Sequence, residues 1–323
     1  MKELENRREP VILDCTVRDG GLVNNWDFSP DFVRDLYRSL DAAGVEYMEI
    51  GYKNSPKLLK SDGAGPWRFL DDAYIREIIP QKGRTKLSAL VDIGRVDEND
   101  IRPREESPLD LIRVACYIND VAKAVELVNL FSSLGYETSL NIMALSRVLE
   151  NELTEALEQI DRSRADIVYI VDSFGSFYPH NIGYLAGLFR RHAPGKTLGV
   201  HTHNNMQLAL ANTLEAVRHG VTFLDASVFG MGRAAGNCHT ELLAPALRNK
   251  RYNLRPILEM IEKHMVRVRK EWEWGYTIPY ALSGMFNEHP RMAMALRSSA
   301  EERDHYVAFY DRITSVETAP AKA

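Results

Sequence analysis

Short apolar segments alternate with longer amphipathic segments eight times between residues 11 and 249 of this 323-residue chain. A short apolar run between turn residues is typical of a strand buried on both faces, and the amphipathic segments are typical of helices. Strands that alternate with helices in this way form a parallel sheet. The predicted strands are residues 11–16, 47–51, 86–92, 111–117, 137–143, 167–171, 197–203 and 222–228.

Eight such units in one chain predict an α/β fold of the (β/α)8 TIM-barrel type. The alternative is a doubly wound open sheet, but the first predicted strand is not followed by the Gly-x-Gly-x-x-Gly turn that such sheets use for dinucleotides. We expect residues 1–250 to form the catalytic barrel. Residues 251–323 are expected to form a helical C-terminal extension that serves as a lid or as an oligomer contact.

Several local signals predict where elements begin and end. Arg18, Asp19, Gly20 and Gly21 are predicted to form a turn after the first strand. Ser29 followed by Pro30 predicts the start of a helix, and Gly44 predicts its end. In the extension, helices are predicted near residues 256–270, 290–298 and 300–311, with a break in periodicity at 272–280.

The composition predicts a soluble cytoplasmic protein rather than a nucleic-acid or membrane protein. The formal charge of −5 does not favour binding to polyanions, and no apolar run reaches the roughly 18 residues of a membrane span. The first nine residues are charged rather than signal-like. Cys15, Cys116 and Cys238 lie far apart and form no zinc or redox spacing, which favours a reducing compartment.

Two histidines at the end of the seventh predicted strand indicate a metal site. His201 and His203 are two residues apart, so both side chains point to the same side of the strand. In a closed barrel the first, seventh and eighth strands are neighbours, and their carboxyl ends open on the catalytic face. Asp19 and Asn237 follow the first and eighth strands and would therefore lie beside the histidines. This donor set suits Mn²⁺ or Mg²⁺, with zinc or cobalt as alternatives.

Three segments resemble the signatures of the DRE-TIM metallolyases, and they occur in the order found in that superfamily. They are residues 14–21 (Asp-Cys-Thr-Val-Arg-Asp-Gly-Gly), residues 201–204 (His-Thr-His-Asn) and residues 230–237 (Gly-Met-Gly-Arg-Ala-Ala-Gly-Asn). The superfamily includes 4-hydroxy-2-oxovalerate aldolase and, more distantly, hydroxymethylglutaryl-CoA lyase and the isopropylmalate and homocitrate synthases. The resemblance implies that Asp19, His201, His203 and Asn237 hold the metal and that Arg18 faces the substrate.

The resemblance also implies a reaction. We expect a divalent-metal-dependent class II aldolase or lyase that makes or breaks a C–C bond next to a 2-oxo acid, through a pyruvate-like enolate. Its substrates would be a small 2-oxo acid and an aldehyde, and a homo-oligomer is expected. One alternative is a Claisen-type acyltransferase that condenses an acyl-CoA with a 2-oxo acid. A further alternative is a barrel that keeps the metal without catalysis.

One position departs from the aldolase pattern. The aldolases that this chain resembles carry a basic histidine three residues after the motif aspartate, where this chain has Leu22. The missing acid/base is therefore expected from the extension, with His289 and Tyr280 as the candidates. The substrate-binding candidates are Arg18 together with three residues at strand ends, Thr16, Glu49 and Asp172.

Overall fold

A computed structural model of the chain describes residues 9–315, in which eight parallel strands close into a barrel in sequence order from β1 to β8. The predicted (β/α)8 architecture is confirmed. Each strand pairs with its neighbours along the chain, and β1 closes the barrel on β8 through pairs such as Leu13 with Asp225. The strands are β1 Val11–Asp14, β2 Tyr47–Tyr52, β3 Lys86–Asp92, β4 Leu111–Cys116, β5 Glu137–Ile142, β6 Ile167–Asp172, β7 Thr197–Thr202 and β8 Phe223–Ala226.

Helices surround the barrel, and their apolar faces pack on the outer surface of the strands. The first of the long helices begins where the sequence predicted it, because Ser29 accepts a hydrogen bond from the Phe32 amide and Gly44 ends the helix with a φ of 80°. The helices of the barrel are α1 Thr16–Asn24, α2 Pro30–Ala43, α3 Asp72–Ile78, α4 Val121–Ser133, α5 Glu150–Asp161, α6 Pro179–His192, α7 Ala209–Arg218 and α8 Thr240–Ala246.

The predicted turn at residues 18–21 is wrong, because these residues lie inside helix α1. Glycine is a poor helix former, so the pair Gly20 and Gly21 favoured a turn in the sequence. In the folded chain Trp26 packs so closely that a Cβ on Gly21 would lie 2.0 Å from its ring. The Trp26 indole also donates to the carbonyl of Arg18 at 2.9 Å. Tertiary packing therefore overrides helix propensity here and fixes Arg18 and Asp19 on a helical turn.

The C-terminal extension is helical, as predicted, but its elements differ in part from the prediction. The predicted helix at 256–270 is observed as α9 Leu254–Met260, one π-helical segment Ile261–Met265 and α10 Val266–Glu271, and α9 packs against α2. Helix α11 Ile278–Met285 lies where no helix was predicted, and α12 Arg291–Ser298 and α13 Tyr306–Ser315 follow. Within residues 9–315, none of these helices combines the length and apolarity needed to cross a bilayer.

Candidate active site

Asp19, His201 and His203 converge at the carboxyl end of the barrel. Their potential ligand atoms all lie within 4.8 Å of one another, and all three residues are buried. Asp19 is presented by α1 and His201 by β7, while His203 follows β7 and forms an isolated bridge with Asn237. The clustering of one carboxylate and two imidazoles from separate elements is the donor arrangement that a divalent transition metal binds.

Asn237 lies beside Asp19, and its side-chain oxygen is suited to a fourth metal ligand. Its Nδ2 donates to Oδ2 of Asp19 at 2.8 Å, and its Oδ1 is buried with no hydrogen-bond partner within the described part of the chain. Rotating the amide by 180° exchanges the two atoms and points the oxygen at the same carboxylate. Two oxygens in that arrangement repel each other unless a cation lies between them. The residues present therefore fit a metal site.

The charges around Asp19 favour its ionised form. Burial alone would raise the pKa of Asp19, but the neighbouring cationic side chains, Arg18 above all, hold it well below the usual range. Burial lowers the pKa of His203, so its imidazole is neutral at pH 7. A carboxylate beside a neutral imidazole is the protonation state that metal binding requires.

The two imidazoles are oriented by hydrogen bonds on their far sides. Nδ1 of His201 lies 2.9 Å from Oδ2 of Asp225, and Nδ1 of His203 lies 3.2 Å from the carbonyl oxygen of Gly236. Both partners are acceptors, so each Nδ1 carries the proton and each Nε2 is left for a ligand. Asp225 and Gly236 thereby hold both rings in the tautomer that histidines need in order to bind a metal through Nε2.

A glycine in the loop after β8 lets the backbone approach this cluster. A Cβ on Gly232 would lie 2.5 Å from Oδ2 of Asp19 and 2.3 Å from Nδ2 of Asn237, which no side chain could tolerate. The amide of the next residue, Arg233, donates to the same Asp19 oxygen at 3.2 Å. The loop between β8 and α8 is therefore built to lie directly over the carboxylate.

Beneath the cluster, buried ion pairs cross the barrel interior. Arg18 contacts Glu49 at 2.5 Å and Asp19 at 2.6 Å. Arg113 is fully buried and contacts Glu49 at 3.1 Å and Asp225 at 2.7 Å. We call Arg18, Glu49, Arg113 and Asp225 the interior network. It connects the carboxylate that orients His201 to the arginine beside Asp19.

A cavity of about 100 Å³ opens above the cluster, and it is the place for a small substrate. Its walls come from residues at the carboxyl ends of most strands and from one residue of the extension. The lining residues are Arg18, Asp19, Leu22, Tyr52, Leu90, Asp92, Ala115, Tyr117, Asn141, Met143, Ala144, Val171, Ser173, Phe174, His201, His203, Arg233 and His289.

The two acid/base candidates from the extension lie in different places. His289 lines the cavity and packs against Phe174 at a ring separation of 5.4 Å. Tyr280 is outside that lining, in an apolar cluster with Leu296 and Phe309, and it borders a second cavity of about 370 Å³. Leu22, which replaces the expected histidine, lines both cavities. Of the two candidates, only His289 lines the same cavity as Asp19, His201 and His203.

The substrate-binding candidates other than Arg18 lie outside the cavity lining. Thr16 donates to Asp14 at 3.0 Å and accepts from the amide of Val228 at 2.8 Å. Glu49 is occupied by the two arginines of the interior network. Asp172 accepts from the amides of Ser176 and Phe177, which follow β6. In the described structure these three side chains hold the loops and arginines around the cavity.

The sequence analysis did not single out three charged residues of the site, namely Arg113, Asp225 and Arg233. Two of them carried a usable signal, because Arg113 and Asp225 are charged residues inside otherwise apolar strands. A charge on a strand that is buried on both faces needs a buried partner. Arg233 lies inside a motif that the analysis did identify, but its side chain was not interpreted.

The extension reaches over the cavity through the segment after α11. Asn287 donates to the carbonyl of Ser146 at 3.1 Å and accepts from Ser176 at 3.0 Å. Its own carbonyl accepts from Arg147 at 2.7 Å. These contacts with loops of the barrel hold the neighbouring His289 at the cavity wall.

Comparisons with known proteins agree with this geometry. A curated oxaloacetate decarboxylase from Mycobacterium tuberculosis is 34% identical over 247 residues, which cover 75% of this chain and 71% of that protein. A 4-hydroxy-2-oxovalerate aldolase from Pelotomaculum thermopropionicum is 30% identical, with 75% and 71% of the two chains covered. The solved N-terminal domain of a candidate aldolase from Bacteroides vulgatus is 27% identical and superposes with a TM-score of 0.76, covering 90% of this chain and 98% of that one.

The family profile described as HMGL-like matches residues 9–266, which include β1 to β8 and all three signature segments. The DRE-TIM resemblance is therefore confirmed by this match and by relatives that are named as a decarboxylase and as an aldolase. The chain belongs to the HMGL-like family.

Proposed function

We propose that this protein is a divalent-metal-dependent lyase that makes or breaks a C–C bond next to the carbonyl group of a 2-oxo acid. The observation that carries the proposal is the buried cluster of Asp19, His201 and His203 at the floor of a small cavity that Arg18 also lines. The relatives named as an aldolase and as a decarboxylase favour this class over an acyl-CoA condensation and over a barrel without activity.

The residues that would hold the metal are Asp19, His201, His203 and Asn237, and Mn²⁺ or Mg²⁺ suits this oxygen and nitrogen donor set. A bound divalent ion would supply Lewis-acid polarisation of the substrate's carbonyl oxygen. The remaining catalytic work belongs to side chains whose positions are fixed by the barrel.

Arg18 is placed to stabilise the negative charge that develops when the bond breaks. Its Nε and Nη1 are held by Glu49 and Asp19, so the guanidinium is fixed in orientation and Nη2 remains for a ligand in the cavity. A donor that is already oriented needs no reorganisation when the enolate charge appears. Because arginine stays protonated at any physiological pH, this positive charge is permanent.

We assign proton transfer to His289. Burial, together with Arg233, Arg291 and Arg147, lowers the pKa of His289 to about 4, so the imidazole is neutral and can accept a proton at pH 7. In aldol cleavage the 4-hydroxyl group loses its proton to a base while the C3–C4 bond breaks and its electron pair forms the enolate. The protonated imidazole can then return a proton to C3.

Decarboxylation is the second candidate reaction, and Leu22 favours it. Loss of CO₂ from a 2-oxo acid that carries a carboxylate on C3 breaks a C–C bond and forms the same enolate, but no hydroxyl proton has to be removed. Leu22 lines the cavity at the sequence position where the aldolases that this chain resembles carry a basic histidine, and its apolar side chain suits that reaction. The relative from Mycobacterium tuberculosis, 34% identical, is named for a decarboxylation.

The test is exchange of the C3 protons of pyruvate in D₂O, measured by NMR with Mg²⁺ or Mn²⁺ and again after chelation with EDTA. We expect metal-dependent exchange, because both reactions pass through the same enolate. Oxaloacetate and 4-hydroxy-2-oxo acids are then compared as substrates, with the metal alone as control. Absence of exchange with either metal would refute the proposed enolate chemistry.

We further propose that the partner in the aldol reaction is a small aldehyde and that the protein works as a homo-oligomer. The cavity of about 100 Å³ supports the first proposal, since it suits small reactants. Exposed aromatic and apolar residues of the extension, such as Tyr276, Met285 and Val307, support the second. Sedimentation analysis of the purified chain tests the oligomer.

A further inference from the structure

Three arginines lie near the cluster of Asp19, His201 and His203, and they differ in how their charges are balanced. Arg18 and Arg113 each contact two carboxylates. Arg233 lines the cavity, but within residues 9–315 no carboxylate lies within 4.0 Å of its guanidinium. Its contact with Asp19 is made by the backbone amide and not by the guanidinium. Among the described residues, Arg233 is thus a cation of the cavity without a directly bonded carboxylate.

The guanidinium of Arg233 is also poorly solvated. Its Nε is buried and has no acceptor in the described structure. Arg233 is only partly exposed, and a cation held away from water without a counter-ion is normally paired or binds a ligand. The unused Nε–H is a donor that a bound anion would satisfy.

The position of Arg233 is fixed before any ligand arrives. Its amide donates to Asp19 at 3.2 Å and its carbonyl accepts from Gly236 at 2.9 Å, so the backbone is held on both sides. Its Nη2 donates to the carbonyl of Ser173 at 2.6 Å. The same Nη2 lies 3.3 Å from Nε2 of His203, which is the nitrogen left for the metal. The guanidinium is therefore preorganised in the cavity wall beside His203.

We propose that Arg233 binds the carboxylate of the 2-oxo acid, and that this pairing makes short 2-oxo carboxylates the substrate class of the site. The inference rests on the proposed function, because it names what that function acts on. An arginine offers a planar pair of N–H donors that matches a carboxylate. A carboxylate held at Arg233 would place the adjacent carbonyl group beside the metal ligands and leave C3 pointing into the cavity. A neutral aldehyde gives the guanidinium no charge to pair with.

The experiment measures two affinities of the same variants. Oxalate, a planar anion that resembles the carboxyl end of a 2-oxo acid, is titrated by calorimetry into the Mn²⁺-loaded protein. Mn²⁺ binding itself is followed by electron paramagnetic resonance. The variants are Arg233→Gln, which removes the charge, and Arg233→Lys, which keeps it. Arg291→Gln is the matched control, since this exposed arginine lies near His289 and outside the cavity lining.

We expect Arg233→Gln to weaken oxalate binding by about 10- to 100-fold, the value of a lost charge-assisted hydrogen-bond pair. The same variant should bind Mn²⁺ as tightly as the wild type or more tightly, because a repulsive cation beside His203 has been removed. Arg233→Lys should recover part of the oxalate affinity, and Arg291→Gln should change neither affinity. Opposite shifts of the two affinities cannot come from general damage to the site.

Two outcomes would overturn the inference. One is unchanged oxalate affinity in Arg233→Gln, which would show that the anion is bound elsewhere. The other is a joint loss of oxalate and Mn²⁺ affinity in both variants, which would assign Arg233 a purely structural role. Failure of the proposed function looks different: a wild-type protein that binds oxalate through Arg233 but exchanges no pyruvate protons would refute the reaction and leave this anion site standing.

Discussion

The interior network differs in its charge balance from two basic residues of the cavity lining, Arg233 and His289, which we call the mouth of the cavity. In the network, Arg113 and Glu49 are fully buried, and Arg113 bridges Glu49 and Asp225. At the mouth, Arg233 has no carboxylate partner in the described part of the chain, and His289 has three arginines near it that lower its pKa.

This difference separates residues that hold the site from residues that act on a ligand, with Arg18 as the one network residue that also lines the cavity. A network with matched charges is stable by itself and fixes the geometry of its members. A region with unmatched positive charge gains stability only when an anion binds. We therefore expect changes in the network to reduce folding stability and metal affinity, and changes at the mouth to reduce catalysis and substrate binding while the fold remains intact.

The largest effect is expected from His289 at the mouth. Replacing His289 with Gln removes the proposed acid/base while keeping a polar side chain, and the rate of pyruvate C3 proton exchange should fall by about 10²- to 10⁴-fold. Because the pKa of His289 is lowered to about 4, its basic form predominates above that pH. The wild-type exchange that depends on His289 should therefore be level near neutral pH and fall as the pH decreases through 4.

Tyr280→Phe is the matched control, since Tyr280 was the other acid/base candidate and lies outside the cavity lining. This variant should keep its exchange rate within about twofold of the wild type, because it removes a hydroxyl group outside the cavity lining and keeps the aromatic ring in its apolar cluster. If Tyr280→Phe lost activity and His289→Gln kept it, the assignment of proton transfer would have to be reversed.

Arg113 tests the network side of the comparison. Replacing Arg113 with Met removes the arginine partner of the buried Asp225 and one of the two arginine partners of Glu49, and the free energy of unfolding should fall by about 3–5 kcal/mol. Urea denaturation monitored by circular dichroism measures the loss. Arg255→Met removes an exposed ion pair with Glu259 and should cost about 0–1 kcal/mol. An equal, small loss in both variants would show that the interior network does not stabilise the fold.

Most of the fold could be predicted from the sequence because strands buried on both faces, such as Ile167–Asp172, are mainly apolar and alternate with amphipathic helices. The strand Lys86–Asp92 was predicted with the observed ends. The prediction failed where tertiary contacts decide local structure, as at Gly20 and Gly21, which are helical because Trp26 packs on them. It also missed α11, which begins with Ile278 and Pro279 directly after an aromatic segment without periodicity.

The candidate site was predictable only in part, for a similar reason. Residue types and spacing identified Asp19, His201 and His203, because barrel topology alone brings those strand ends together. The pairing of Arg113 with Asp225 joins residues 112 positions apart, and no local pattern specifies it. Among the described residues, Arg233 has no carboxylate partner, and this depends on where other parts of the chain place their carboxylates. The sequence alone therefore could not reveal it.

The smallest of the three effects concerns Asp225, which belongs to the network but acts on the metal ligands. Its Oδ2 accepts from Nδ1 of His201 at 2.9 Å and thereby fixes the tautomer that leaves Nε2 free. In Asp225→Asn the side chain loses its charge, and its amide can present a donor to that nitrogen instead of an acceptor. Mn²⁺ affinity should fall by about 10- to 100-fold, as is typical when such a partner is lost. Asp35→Asn breaks a comparable contact with His264 on the outside of the barrel, 2.8 Å long, and should leave Mn²⁺ affinity unchanged. If Asp225→Asn bound Mn²⁺ like the wild type but was less stable, the network would stabilise the barrel without affecting metal affinity. His201 would then not depend on the network for its tautomer.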